Sequence, residues 1–252
     1  MDSLIDEAWR LYVETSDPCV VRPSIPILYF GDRERYVASP LKVITVALNP
    51  SRHEFPVHDR FQRFRPAAGI DPGRLDASGR DAYLAALNAY FRHEPYVSWF
   101  GWFEHVLRGA GASYFDGEDS TALHTDLCSP LATDPTWSKL DAQHDQFVAG
   151  GMALWHRLVE NLVPDVIVIS VARRYLDHIA YTHRDGWQLL TTIPRRDETK
   201  RPYQAWAQRS RLIGGKPTLL VFGPAAQQPF ATLTIESRQS VGRALREFFH
   251  AG

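Results

Sequence analysis

The sequence predicts an α/β protein with three layers, α/β/α, around a central and mostly parallel sheet of four strands. Short apolar runs rich in β-branched residues alternate along the chain with longer segments of helical periodicity, and this alternation indicates strands joined by helices. The runs are apolar on nearly every residue, which is typical of strands buried on both faces of a sheet. With 44% hydrophobic and 23% charged residues, residues 1–252 are expected to form a single domain.

The four core strands are expected at four apolar runs, which are residues 42–48 (KVITVAL), 121–127, 165–171 (DVIVISV) and 217–222 (PTLLVF). Residues 27–30 and 187–193 also have strand patterns, and residues 204–213 are ambiguous. Ligands of such sheets bind beyond the carboxyl ends of the strands. Functional residues are therefore expected just after Leu48, Leu127, Val171 and Phe222.

Helical periodicity predicts six helices, at residues 4–13, 81–91, 99–107, 138–162, 172–180 and 241–250. Gly150-Gly151 lies inside the fourth of these helices and is expected to kink or break it. A long polar, proline-rich stretch follows the first core strand and extends to about Gly79. A long loop inside a compact domain is often functional.

Charge, hydropathy and cysteine content indicate which partners and which compartment the protein is expected to have. The net charge is −1, whereas proteins that hold DNA mainly by neutralising phosphates are usually basic. Arginines nevertheless cluster locally, and these clusters are interpreted either as DNA contacts or as solvated surface. No apolar run is long enough to span a bilayer, and the acidic amphipathic start is not a secretory signal. Cys19 and Cys128 form no CxxC pair, so a cytoplasmic protein is expected. The protein is also expected to be a monomer.

Residues 43–51 (VITVALNPS) resemble the first motif of the uracil-DNA glycosylase superfamily, in which a buried strand leads to a water-activating Asp or Asn followed by Pro. The Asn-Pro version is typical of the mismatch-specific and single-strand-selective branches. The resemblance extends weakly from Val43 to the C-terminus, and it implies that Asn49 is the catalytic residue. The alternative is an Asx-type turn at the strand exit.

The same resemblance implies a pocket for a flipped base. The family places a base-stacking Phe a dozen or so residues after the catalytic position, where Phe61 and Phe64 stand, with Phe55 closer. These rings are alternatively expected to pack the loop onto the core. Residues 123–130 (LHTDLCSP) occupy the place of a strand that ends in a base-reading side chain, and Asp126 falls there. The candidate base-binding residues are therefore Asp126, Phe64, Phe61, Phe55 and His53.

The last family motif usually begins with His-Pro, but residues 222–230 (FGPAAQQPF) stand in its place. Gly223-Pro224 offers no imidazole to stabilise the leaving base. Gln227 or Gln228 is a candidate to occupy the gap that a flipped base leaves in the DNA double helix. Phosphate contacts are assigned to Arg63, Arg65 and Arg173. No cofactor is expected, and neither is a metal, because no clustered ligands with a recognisable spacing are present.

A glycosylase extrudes a nucleotide and cleaves its C1′–base bond through an oxocarbenium-like transition state. The neutral amide of Asn49 is suited to orienting water. A carboxylate at Asp126 would repel O4 of uracil and accept a hydrogen bond from the amine of cytosine. If burial keeps Asp126 protonated, it also donates to cytosine N3. Alternatively, Asp126 caps a helix or pairs with an Arg.

Normal cytosine cannot be the target without destruction of host DNA, so a modified cytosine in double-stranded phage DNA is expected. This combination is similar to bacterial anti-phage glycosylases that excise glucosylated hydroxymethylcytosine. The expected reaction is monofunctional and leaves an abasic site. The alternatives are a repair glycosylase for uracil, thymine or hypoxanthine, and a non-catalytic protein that binds DNA or a nucleotide.

Overall fold

A computed structural model describes residues 1–140, 145–195, 199, 201–224, 229–230 and 233–251. The protein is α/β, with helices and a mostly parallel central sheet, and this part of the predicted fold class is confirmed. The sheet has six strands, and the predicted count of four is therefore too low. The helices are α1 (Asp2–Glu14), α2 (Arg33–Ala38), α3 (Ala77–Asn88), α4 (Val97–Ala110), α5 (Asp145–Leu162) and α6 (Ile235–His250). The strands are β1 (Val43–Ala47), β2 (Ala112–Ser113), β3 (Ser120–Thr121), β4 (Leu123–Asp126), β5 (Val166–Ile169), β6 (Gln188–Ile193), β7 (Tyr203–Arg211) and β8 (Pro217–Phe222).

The chain forms two compact units. The first consists of Met1–Glu34, Leu48–Tyr96 and His124–Leu162. Its core is rich in aromatic side chains, among them Trp9, whose ring meets the edges of Tyr12 and Tyr83 at 5.9 and 5.7 Å. Helices α1 and α5 pack together in this unit. Residues 27–30, predicted as a strand, form a single antiparallel bridge from Phe30 to His124.

The second unit consists of Arg35–Ala47, Val97–Leu123 and Val163–Gly252. Strands β1, β5 and β8 are parallel neighbours, with Val43 opposite Val166 and Val166 opposite Leu219. Apart from Thr45 in β1, the residues of these strands that pair are apolar, because both faces are buried. Strand β7 pairs antiparallel with β8, and β6 pairs antiparallel with β7. The extra strands are thus β6 and the segment whose pattern was ambiguous.

Two glycines, Gly109 in α4 and Gly242 in α6, allow these helices of the second unit to pack closely. A Cβ at Gly109 would lie 2.1 Å from Gln239 O, and one at Gly242 would lie 2.0 Å from Val106 O. Backbone therefore contacts backbone along this helix pair.

Two predicted helices differ from the structure. Residues 172–180 contain a 3-10 segment, Arg173–His178, instead of an α-helix. Gly150-Gly151 does not break α5, which runs through both glycines. Residues 121–127, predicted as one strand, are divided between β3 and β4. Within the described part of the chain, none of the helices has the length and apolarity to cross a bilayer.

Candidate active site

Asn49, the predicted catalytic residue, is half-buried and its side-chain amide has a fixed orientation. Its Nδ2 donates hydrogen bonds to Pro50 O at 2.7 Å, Thr133 Oγ1 at 2.9 Å and Leu131 O at 3.3 Å. Two of these partners are carbonyl oxygens, which only accept, so the nitrogen must face them. Asn49 Oδ1 is left without a hydrogen bond from any described residue and is available to accept one from water.

The backbone around Asn49 is tied to the segment that follows Asp126. Cys128 N donates to Leu48 O at 2.8 Å, Thr133 N donates to Pro50 O at 3.2 Å, and Arg52 N donates to Thr133 O at 3.1 Å. The same segment supplies two of the three acceptors around Asn49 Nδ2, Leu131 O and Thr133 Oγ1. The predicted water-orienting and base-reading residues therefore belong to one hydrogen-bonded substructure of the first unit.

Asp126, the predicted base-reading residue, ends β4 and has a side chain only 3% exposed. Its Oδ1 lies 3.5 Å from Nε2 of the equally buried His124. His124 exchanges backbone hydrogen bonds with Phe30, whose ring centroid lies 5.5 Å from the imidazole. The partner of Asp126 is thus a histidine, and among the described residues neither a helix end nor an arginine holds it.

Glu54 is a further acid of this site, and sequence reasoning missed it. It is 4% exposed, and its Oε2 accepts a 2.5 Å hydrogen bond from Tyr90 OH. Burial raises the pKa of Glu54 to about 7; the Tyr90 hydrogen bond and the charge of Arg63 oppose this rise, while Asp126 adds to it. The one sequence signal is Ser51-x-x-Glu54, which indicates a helix cap. Ser51 does cap the 3-10 turn Arg52–Glu54, but the Glu54 side chain points into the core.

Arg63 belongs to this site, since its charge acts on Glu54, and two of its side-chain nitrogens lack hydrogen-bond partners. Its Nε and Nη1 are buried and have no hydrogen-bond partner among the described residues. Its guanidinium carbon is 5.9 Å from the ring centroid of Tyr96, on which His53 stacks at 5.0 Å and 25°. Partial burial, and then the charges of Arg52 and Arg63, lower the pKa of His53. The neutral form of His53 is therefore favoured.

The three predicted base-stacking rings differ in accessibility. Phe55 and Phe64 are 0% exposed and are stacked on each other, with centroids 5.2 Å apart and planes at 20°. Phe61 is partly exposed and meets Phe55 edge-on at 6.3 Å. Phe61 is thus the ring with surface available for a base, while Phe55 and Phe64 pack the loop onto the core.

The predicted phosphate contacts fall in different places. Arg65 is exposed in the first unit and forms a 2.7 Å ion pair with Asp59. Arg173 belongs to the second unit, where it lines a cavity of about 340 Å³ together with Arg174, Leu176, Asp177, Thr182, Arg184 and Trp187. Gln227 and Gln228 lie outside the described residues. Gly223 has no room for a side chain, since a Cβ there would lie 1.9 Å from Phe230 Cε1.

No family model matches the chain, and no curated protein matches it. Among the residues that the structure describes, no group of three or more His, Cys, Asp or Glu side chains is placed to hold a metal ion.

Proposed function

We propose that this protein is a monofunctional DNA glycosylase in which Asn49 positions the water that attacks C1′ of a flipped nucleotide. The observation that carries this proposal is the amide of Asn49. Its nitrogen is held by three acceptors, and its oxygen has no partner among the described residues. A neutral acceptor held in one orientation is suited to aligning water and contributes by pre-organisation.

The proposed reaction is a hydrolysis in which water supplies both the hydroxyl group on C1′ and the proton on the departing base. Water adds to C1′ as the bond from C1′ to the base nitrogen breaks, and the electron pair leaves with the base. The departing base finally carries the proton that water loses, and an abasic site remains in the DNA. The transition state resembles an oxocarbenium ion, so an aligned water and a stabilised leaving base are the two requirements.

The proposed substrate is a modified cytosine, in particular glucosylated hydroxymethylcytosine of phage DNA. Asp126 supports a cytosine because a buried carboxyl group accepts a hydrogen bond from an exocyclic amine and repels a carbonyl at the same place. The proposal includes the four-stranded core of the uracil-DNA glycosylase superfamily, with β1, β4, β5 and β8 as its strands and β6 and β7 as additions.

The test is base release from four purified DNAs: unmodified, uracil-containing, hydroxymethylcytosine-containing and glucosylated phage DNA. Released bases are identified by mass spectrometry, and Asn49→Ala is assayed in parallel for release and for DNA binding. We expect release of the glucosylated base by the wild type, and a loss of roughly 100-fold or more in Asn49→Ala with binding retained. Release of uracil alone would keep the enzyme class and exclude the cytosine. Binding without release from any DNA would favour a non-catalytic DNA-binding protein.

A further inference from the structure

Breaking a C1′–base bond leaves an electron pair on the departing pyrimidine, where it is shared between the ring nitrogen and the neighbouring 2-carbonyl oxygen. Inside a protein such a charge needs a hydrogen-bond donor or a cation aimed at it. A carboxylate at Asp126 supplies neither. Position 223 cannot supply a side chain, because Phe230 fills the space next to Gly223.

Arg63 has the donors that this step requires. Several described residues have one buried nitrogen or oxygen without a partner, but Arg63 has two, Nε and Nη1. A buried donor without a partner costs about 1–3 kcal/mol, and more when it is charged. Such groups call for an explanation, and a ligand that supplies the missing acceptors is one.

The neighbouring acids do not satisfy Arg63. Asp126 lies against His124, and Glu54 accepts its hydrogen bond from Tyr90. The pKa of Glu54 is about 7, so this acid is substantially protonated at neutral pH and only partly balances the guanidinium charge. The site therefore holds a guanidinium with two buried donors, Nε and Nη1, that no described residue satisfies.

A phosphate contact is a less suitable role for Arg63. Arg65, two residues later, has the features of such a contact, because its side chain is 57% exposed and its partner Asp59 lies at the surface. In Arg63, by contrast, Nε and Nη1 are buried beside Glu54 and Tyr96.

We propose that Arg63 is a catalytic residue that donates hydrogen bonds to the departing base and stabilises the negative charge developing on its 2-carbonyl oxygen. This proposal rests on the proposed glycosylase function. The step moves no proton from Arg63, which acts only as a hydrogen-bond donor. The attacking water still supplies both the hydroxyl on C1′ and the proton on the base.

The kinetic test compares Arg63→Gln, Arg63→Lys and the exposed control Arg65→Gln on DNAs whose bases differ in leaving ability. Single-turnover release by Arg63→Gln is expected to fall by roughly 100- to 1,000-fold, and more for poorer leaving bases. Arg63→Lys keeps the charge and is expected to fall less. Arg65→Gln is expected to weaken DNA binding for all bases alike, with a smaller salt dependence. If Arg63→Gln behaves like Arg65→Gln, Arg63 is a phosphate contact and the proposal is wrong.

A binding test separates this proposal from the glycosylase function. Barbiturate is a pyrimidine that is anionic at neutral pH, and it mimics the departing base. Its affinity is measured by calorimetry in the presence of DNA with an abasic-site analogue. The Asp126→Asn background is used, because a carboxylate there would repel a carbonyl. Adding Arg63→Gln is expected to weaken the binding of barbiturate at least 10-fold, whereas adding Arg65→Gln is expected to leave it unchanged. If barbiturate binding depends on Arg63 but no DNA releases a base, only the proposed glycosylase function is overturned. If a base is released but barbiturate binding does not depend on Arg63, only the proposed catalytic role of Arg63 is overturned.

Discussion

Thr133 Oγ1 accepts a hydrogen bond of 2.9 Å from Asn49 Nδ2, and so joins the candidate catalytic residue to the segment that follows β4. Pro50 O and Leu131 O complete the set of acceptors around the same nitrogen. The site therefore needs a donor at one end of the residue 49 side chain and an acceptor at the other. Among the natural side chains of this length, only asparagine provides both at every pH.

Asn49→Asp is consequently expected to be more harmful than Asn49→Ala to stability. Aspartate would place an anionic oxygen against two carbonyl groups and Thr133, with no hydrogen to share among them. We expect a loss of roughly 2–4 kcal/mol in the free energy of unfolding at pH 7, measured by urea denaturation, and loss of base release. Asn49→Ala is expected to lose base release at a smaller cost in stability. An active Asn49→Asp would mean that the amide nitrogen is not needed.

Thr133→Val tests whether the anchoring hydrogen bond positions Asn49. Valine keeps the shape of this fully buried side chain and removes the acceptor. We expect kcat for base release to fall by roughly 10-fold, because the amide can then rotate, while KM and DNA affinity stay unchanged. Thr133→Ser restores the hydroxyl and is expected to recover most of the rate. If serine and valine have equal effects, Thr133 contributes packing only.

The strands and the position of Asn49 were predictable because they depend on local patterns. Four buried runs and an Asn-Pro at the end of one of them are visible in the sequence. Strand β7 was not, since its sequence YQAWAQRSR mixes polar and apolar residues without a clean alternation between its two faces. The helix prediction at 172–180 was wrong about the type of helix, which residues 173–178 form as 3-10 turns.

The polar part of the site was harder to predict than the fold. Glu54 and Arg63 are charged residues in a proline-rich loop, where sequence patterns indicate solvent exposure. Glu54 and two nitrogens of Arg63 are buried in the loop that Phe55 and Phe64 pack onto the core. Such tertiary burial has no periodic signal in the sequence.

Glu54 is expected to make stability depend on pH in an unusual direction. Its pKa rises from 4.5 to about 7 on folding, so the folded protein binds the proton more tightly than the unfolded chain. The associated stabilisation is fully present below pH 4.5 and is lost as the pH rises through about 7. Its size is roughly 3 kcal/mol.

Glu54→Gln keeps the acceptor for Tyr90 and removes the ionisation. The difference in unfolding free energy between this variant and the wild type is therefore expected to shift in favour of the variant as the pH rises from 5 to 8. Glu14→Gln is the matched control, because Glu14 is exposed at the end of α1 and its replacement should change stability by no more than about 0.5 kcal/mol. A difference for Glu54→Gln that does not vary with pH would show that Glu54 ionises normally in the folded protein.

Asp126→Asn is expected to change which base is released. The amide can donate a hydrogen bond to O4 of uracil, which the carboxylate repels, and it still lies beside His124. We expect the ratio of kcat/KM for uracil over modified cytosine to rise by roughly 10-fold or more, which corresponds to one good hydrogen bond. Competition between the two DNAs in one reaction measures this ratio directly. An unchanged ratio would remove Asp126 from base recognition.

Two adjacent glycines of α5 provide a paired test of how the segment after Asp126 is held. A Cβ at Gly151 would lie 1.9 Å from Cys128 O and 2.8 Å from Ser129 Cα, so this helix turn packs directly on that backbone. At Gly150 the nearest atom would be Leu11 Cδ2 at 3.4 Å, which is an ordinary contact. Gly151→Ala is therefore expected to destabilise the protein by at least about 2 kcal/mol, because backbone must move.

Gly150→Ala is expected to stabilise the protein by up to about 1 kcal/mol, because alanine favours a helix more than glycine does. Both values come from urea denaturation under the same conditions, and the two variants differ only in which residue of one helix turn gains a methyl group. In Gly151→Ala we also expect base release to fall, since the displaced Cys128 belongs to the ladder that supports Asn49. A Gly151→Ala protein as stable and active as Gly150→Ala would show that the contact between α5 and this ladder is looser than the structure describes.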